Sequence, residues 1–464
     1  MSGLFGKRLS VLNVGLASFA DAIVARGGTA ARIEWQPPAQ GDRVVGAALA
    51  RLLNDPAVEA ANAQAAERYL AAQPRLEGIG IARETIGGMS GRTILHAGPP
   101  IEWARMCGPM QGAIIGAILY EAWTDDPAKA RSMAQSGEIA FAPCHHHAAV
   151  GPMAGIISPS MPVWIVRNAA HGNRAFSNLN EGLGKVLRFG ANGPEVLARL
   201  KWMQTSLAPT LRAALKALPE LELKPLMAQA LHMGDEVHNR NVAASSLLIK
   251  RLVPALLKSG AAPEDAAAAI EFIAGNDHFF LNLSMAACKA MLDAAHGVPS
   301  SSMVTTMARN GVEFGIRLSG TGDRWFTAPA PRVNGLYFPE RSIDDAAPDL
   351  GDSAITETAG IGGFAMAAAP AIVKFVGGSA QDALANTIAM THITLRRNSA
   401  FTLPALDFAG SPACIDARRV VDTGILPVIN TGIAHKEPGI GQIGAGVTRA
   451  PLACFTQALL TLAR

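Results

Sequence analysis

Residues 10–15 read Ser10-Val11-Leu12-Asn13-Val14-Gly15, and residues 31–35 read Ala31-Arg32-Ile33-Glu34-Trp35. The first run is apolar enough for a short buried strand, and the second is closed by Gln36-Pro37-Pro38. Residues 19–26 between them have helical spacing, and Gly27-Gly28 supplies the stop. Strand, helix and strand in so short a span predict a βαβ opening, hence a parallel sheet and an α/β fold. The first turn, Asn13-Val14-Gly15-Leu16, lacks the GxGxxG dinucleotide fingerprint. Lys7 and Arg8 ahead of an apolar segment imitate a signal peptide, but Asp21 ends that segment and the pattern runs on into the second strand.

Working outward, helical patterns cover 43–53 and 57–72. From 93 to about 190, short apolar runs alternate with Gly/Pro-rich polar turns, the kind of loop that carries binding groups. Residues 196–218, 225–257 and 263–274 have helical spacing, with Pro near several starts. Strand-like pieces follow at 303–307, 312–318 and 325–328, then a helix-like Gly/Ala-rich region at 361–373 and a closing helix at 452–462. These shifts divide the chain into 1–92, a mixed α/β lobe at 93–193, a helical region at 194–298 and an α/β lobe at 299–464.

The 464 residues allow about three domains at roughly 150 residues each. Charged residues are 17 %, below the usual ~25 %, which predicts surface buried against other subunits, including copies of this chain. A net charge of +3 and few aromatics argue against nucleic acid. Five widely spaced cysteines without CxxC fit reduced thiols and a cytoplasmic protein. Two uncharged stretches resemble membrane spans only superficially. Residues 358–373 are too short and contain Pro370, while 139–166 hold three His and four Pro.

Several runs carry chemistry. Gly439-Ile440-Gly441-Gln442-Ile443-Gly444 matches GxGxxG literally but has no following strand, so an anion-cradling or structural turn competes with the dinucleotide reading. His145, His146 and His147, read as strand residues, place at most two side chains on one face. No zinc-like spacing accompanies them, which leaves an anion-binding cleft wall or a hydrogen-bonded loop beside the metal reading. Met233-Gly234-Asp235-Glu236-Val237-His238-Asn239-Arg240-Asn241 packs charges and amides into an apolar helical stretch, where buried polar groups need partners. Gly275-Asn276-Asp277-His278 fits a helix cap or a His278 facing an anion. Thr305-Thr306-Met307-Ala308-Arg309-Asn310 suits phosphate or carboxylate recognition, or a hairpin turn. Arg174 and Lys436 stand in polar segments just past strands. No Walker A loop, GxSxG elbow or SxxK set is present.

The runs NVGL…FADAIVARGG…IEWQPPA, MGDEVHNRN, GNDHFFLN, TTMARNGVEFGIR and TGILPVINTGIAHKEPGIGQIGAG together resemble the YlbE/AllG-like family across essentially the whole chain. The resemblance implies a Rossmann-like N-terminal lobe followed by helical and α/β lobes. It also implies a subunit of oxamate carbamoyltransferase in allantoin breakdown, interconverting oxalurate plus phosphate and oxamate plus carbamoyl phosphate. An FdrA-like subunit and a third small subunit are the implied partners. The Ser-Thr-Arg-Thr phosphate loop of aspartate- and ornithine-type carbamoyltransferases is absent, Ser90-Gly91-Arg92-Thr93 being the nearest run. The residues then suggest His238, Asn276 and Arg309 as catalytic groups, with Thr305 and Thr306 joining Arg309 on the phosphate or carboxylate. Asn310, Arg174, Asn241, Lys436, Gly441 and Gly444 complete the expected substrate contacts, with no cofactor and no metal. A scaffold subunit of an FdrA-like complex and an acyl-CoA ligase-like subunit are the rival readings.

Overall fold

The computed structural model describes residues 10–33, 35, 37–89 and 91–464. Lys7, Arg8, Glu34, Gln36 and Ser90 lie outside the described residues. The chain is a mixed α/β protein. The opening unit forms as expected: strand Ser10–Val14, helix Ala17–Ala25 and strand Thr29–Ile33, with the strands parallel. It does not grow into a Rossmann-like sheet. Among the described residues this sheet stops at two strands, and Leu12 and Val14 stay 70 % and 58 % exposed.

The larger sheets are antiparallel, which corrects the expected parallel sheet. One has the order Arg174–Asn178, Pro162–Asn168, Pro74–Ile81, Leu221–Glu222. Its strand Pro74–Ile81 thus joins strands from the second and third stretches read from the sequence. A second has the order Phe326–Pro329, Glu313–Leu318, Val304–Asn310, Leu350–Gly351. A third joins Asn334–Tyr337, Gln442–Arg449 and Val428–Ala434. The other parallel pair is Thr93–His96 with Ala140–Pro143.

Helix Leu281–Ala295 is the internal post, with thirteen of its fifteen residues buried. It packs against Pro56–Ala71, the strands Pro162–Asn168, Arg174–Asn178 and Val304–Asn310, and the short helix Ile355–Thr358. Helices Pro263–Ala274 and Leu452–Leu462 fall where their periodicity placed them. The region expected as one helix over 225–257 is broken. Helix Leu223–His232 ends, Gly234 turns at φ 93°, Val237 takes φ 62°, and helix Val242–Lys258 begins only after Asn241. The Asp235 carboxylate accepts the Ala244 N–H at 2.9 Å, capping the second helix from a distance. The polar run is therefore a buried loop rather than a helix face. His145–His147 also lie on a single 3-10 turn, Cys144–His147, so strand alternation does not govern them. Residues 361–373 form 3-10 turns and the start of a short helix rather than one helix. No helix among the described residues is long and apolar enough to cross a membrane.

Candidate functional site

The loop between Leu223–His232 and Val242–Lys258 delivers His238 onto Glu357 of the short helix Ile355–Thr358. His238 Nδ1 lies 2.7 Å from Glu357 Oε1, and both side chains are almost wholly buried. Glu357 also accepts N–H groups from Gly363 at 2.8 Å and Asn430 at 3.2 Å, and the Thr356 hydroxyl at 3.0 Å. A carboxylate serving as acceptor on every side requires the proton on His238 Nδ1, which leaves the lone pair on Nε2. Gly362 makes the approach possible. At φ 59°, an added Cβ would lie 2.3 Å from Glu357 Oε1 and 3.1 Å from His238 Cβ.

Glu236 stands beside this pair. Its Oε1 accepts the Arg240 N–H at 2.6 Å, a side-chain-to-backbone bond. Burial pushes its carboxyl up to about 7, with the His238 charge opposing. His278, from the loop after Pro263–Ala274, is driven down to about 3 by burial, and the charges of Arg188 and His238 act in the same direction. Arg188 is itself lowered to about 10 by burial, and Glu181 opposes that shift. Its guanidinium donates to Gly182 O at 3.2 and 2.7 Å.

Several buried polar atoms on the His238 loop and the strand Val428–Ala434 have no hydrogen-bond partner among the described residues: Glu236 Oε2, Asn239 Nδ2, Asn241 Oδ1, and both Asn430 Oδ1 and Nδ2. Buried polar groups are normally paired, and orphans concentrated around one histidine–carboxylate pair mark a place built for a polar ligand. A cavity of about 440 Å³ adjoins the same loops, bordered by Asn239, Arg240, Asp277, His278, Lys374 and Gln442.

Of the residues expected in the site, His238 and Asn241 are brought together, with Asn241 Nδ2 donating to His238 O at 2.5 Å. Asn276 lies on the loop that carries His278. Its Nδ2 donates to Asn180 O at 3.0 Å and its Oδ1 accepts the His278 N–H at 3.1 Å. Arg309 is not there. All five of its N–H groups are engaged: Nε and Nη2 on Asp349 at 2.7 and 2.9 Å, Nη1 on Gly351 O and Ser353, and Nη2 again on Thr431. Asn310 caps its own hairpin, accepting from Val312 and Glu313 and donating to Pro99 O. Thr305 meets His296 at 2.8 Å, and Thr306 is buried opposite Arg317 in the neighbouring strand. Arg174 is exposed and paired with Glu77, while Lys436 is exposed and donates to Asp344 O. Gly441, at φ 103°, leaves room for Gly184 O, and Gly444 leaves room for Leu336 O, so both glycines serve close backbone approach.

Sequence reasoning passed over Glu357, Arg188, Asp349 and Asp352. A signal existed. Asp349, Asp352 and Glu357 are acids in a run of Ala, Gly, Ile, Ser and Thr, which can be buried only with partners.

A chain of this mixed α/β fold matches a known family. The family model described as oxamate carbamoyltransferase subunit AllG matches residues 139–353. The chain belongs to the AllG family, in agreement with the sequence resemblance. Oxamate carbamoyltransferase subunit AllG of Escherichia coli K12 is 51% identical over 409 residues, covering 88% of this chain and 98% of that protein. YahG of the same organism, an uncharacterized protein, is 48% identical over 460 residues, 98% of each chain. A crystal structure of a conserved protein of unknown function from Enterococcus faecalis V583 superposes with a TM-score of 0.86 at 51% identity. The match covers 87% of this chain and 97% of that one.

Proposed function

We propose that this chain is the subunit of a carbamoyltransferase that houses the His238 centre, interconverting oxalurate plus phosphate and oxamate plus carbamoyl phosphate. The observation that carries the reading is the 51% identity to AllG over nearly all of that subunit. The geometry supports it. A carbamoyl group presents two N–H donors and one carbonyl acceptor. The orphans supply matching partners: Asn241 Oδ1, Asn430 Oδ1 and Glu236 Oε2 as acceptors, with Asn239 and Asn430 Nδ2 as donors.

In the direction of oxalurate breakdown, a phosphate oxygen adds to the carbamoyl carbon and the bond from that carbon to the oxamyl nitrogen breaks. That nitrogen leaves as the amide of oxamate and must gain a proton. Protonated His238 donates it from Nε2, Glu357 holding the ring in one tautomer and stabilising its charge. In reverse, His238 Nε2 removes a proton from the oxamate amide as the nitrogen attacks carbamoyl phosphate and phosphate departs. Asn276 and Arg188 act through the loops that carry His278. The same reading places the subunit in the cytoplasm with an FdrA-like partner and a third small subunit.

The test is phosphate-dependent oxalurate breakdown by the reconstituted subunits, with this chain as wild type or His238→Asn. Carbamoyl phosphate and oxamate are expected only with the wild-type chain. Equal turnover by an intact assembly carrying His238→Asn would move the chemistry to another subunit.

A further inference from the structure

A second group of buried basic side chains lies further along the helix Leu281–Ala295. Ser284 of that helix meets Val237 O in the His238 loop, and Lys289 is five residues on, about 7 Å along the axis. Lys289 is 1 % exposed. Its Nζ holds Asp293 at 2.6 Å and reaches His145 O at 3.5 Å. The His145 side chain is fully buried, with Nε2 3.4 Å from Asp352 Oδ1. That approach lacks hydrogen-bond geometry, and neither ring nitrogen has a hydrogen-bond partner among the described residues.

Arg317, equally buried, donates from Nη2 to His296 Nε2 at 3.0 Å and contacts Asp323, while its Nε–H has no partner among the described residues. His296 in turn meets Thr305 through Nδ1. Trp325 forms a wall, its ring 5.8 Å from both the His145 ring and the Arg317 guanidinium, and donates to His146 Nε2 at 2.8 Å.

Two cations, Lys289 and Arg317, stand here among three carboxylates, Asp293, Asp323 and Asp352. Asp352 faces His145, but its two oxygens already accept the Gly98 and Gly151 N–H groups. Asp293 is taken by Lys289, and Asp323 is 82 % exposed, where water screens it. Burial disfavours the charged forms of His145, Lys289 and Arg317 and lowers His296 to about 4; Lys289 and Arg317 each add repulsion at both histidines. An anion would relieve that repulsion and satisfy the idle donors together.

We propose that the cluster of His145, Lys289, His296 and Arg317 behind Trp325 binds a small oxyanion, a phosphate or a carboxylate, with Arg317 Nε–H and the His145 ring N–H as donors. Arg317 lies one strand away from Arg309, and Thr305 is connected to it through His296. The site is separate from the His238 centre and does not depend on carbamoyl transfer.

Titration of the full-length protein with inorganic phosphate, followed by tryptophan emission and by calorimetry, tests it; oxamate and acetate are the carboxylate arms. Saturable binding of at least one of these anions is expected. The emission change should vanish in Trp325→Phe while the heat persists. Arg317→Gln and Arg317→Lys, each checked for a native circular-dichroism spectrum, should weaken binding at least tenfold. If Arg317→Gln does not fold, Arg317→Lys keeps the charge without the planar fork and decides the matter. Phosphate strongest, or a carboxylate strongest, names the ligand, and either outcome supports the site. Failure of all three anions to bind at millimolar concentration, or equal affinity in a folded Arg317 variant, overturns the proposal.

Discussion

Replacing Arg309 by Ala separates a structural arginine from a ligand clamp. In the structure its five N–H groups are all engaged, two of them on Asp349, and neither residue reaches solvent. Truncation leaves Asp349 with the Thr431 hydroxyl and the Leu350 N–H as its hydrogen-bond donors. It also leaves Gly351 O without its guanidinium donor. Breaking one partner of a buried pair costs about 3–5 kcal/mol, because the surviving charge stays buried. Removing both charges together, as Arg309→Met with Asp349→Leu, should recover most of that loss. Urea unfolding followed by circular dichroism reads the change as a lower midpoint at unchanged slope. Phosphate and oxamate affinity, measured by calorimetry below the transition, should match wild type in the single variant. A midpoint equal to wild type together with tenfold weaker anion binding would refute the assignment and return Arg309 to the substrate.

Glu357→Gln keeps the size of the side chain but removes the charge that orders His238. Turnover by the reconstituted assembly should fall on the order of a hundredfold or more, and wild-type kcat in a folded variant would sink the pair's role. Gly362→Ala places a methyl 2.3 Å from Glu357 Oε1 in a left-handed backbone. It should lower both stability and turnover, and an unaltered kcat would show that Glu357 can move freely. Glu236 supplies a pH test. Its carboxyl is raised by burial from the ordinary 4.5 to about 7, so between these values the unfolded chain gives up its proton before the native one. Stability is therefore lost as pH rises through that window, by about 3 kcal/mol at full deprotonation. His278, lowered to about 3, contributes with the opposite sign below pH 6.5, so the difference between wild type and Glu236→Gln isolates Glu236. The Glu236→Gln curve should fall less from pH 4.5 to 7; parallel curves would contradict the shift.

Local elements were legible where periodicity was unbroken. Helices Arg43–Leu53, Pro263–Ala274 and Leu452–Leu462 follow directly from their apolar spacing, Pro placement and, for the first, an Asp42 cap. The βαβ opening was legible too, but its failure to extend was not, since strand pairing is a long-range property and Pro74–Ile81 finds antiparallel neighbours around residues 162–168 and 221. In 225–257, apolar spacing on both flanks hid a break set by Gly234 and by the carboxylate of Asp235. For the site, the histidine was visible because a polar run in apolar flanks stands out. Its partner was not, because Glu357 is 119 residues away in a segment that reads as filler.

That segment also accounts for how a chain with so few charges can hold so many of them inside. Asp349 meets Arg309 beneath Thr431, Asp352 gathers the Gly98 and Gly151 amides beside His145, and Glu357 orients His238. Three buried acids within nine residues thus tie the strand Val304–Asn310, the turn Cys144–His147 and the His238 loop to one short stretch of backbone. A shift of this stretch alters the surroundings of His238 and His145 together, since Ser353–Glu357 are buried and Glu357 is fixed through Gly363 and Asn430. Residues 349–357 thus touch both the His238 centre and the His145 turn of the proposed anion site. Binding at one is expected to be felt at the other only as far as it displaces residues 349–357, because a ligand shifts an equilibrium solely through its different affinity for the two arrangements. A phosphate affinity that is the same in the wild type and in a folded Glu357→Gln variant would mean that the stretch is rigid and the two sites act independently.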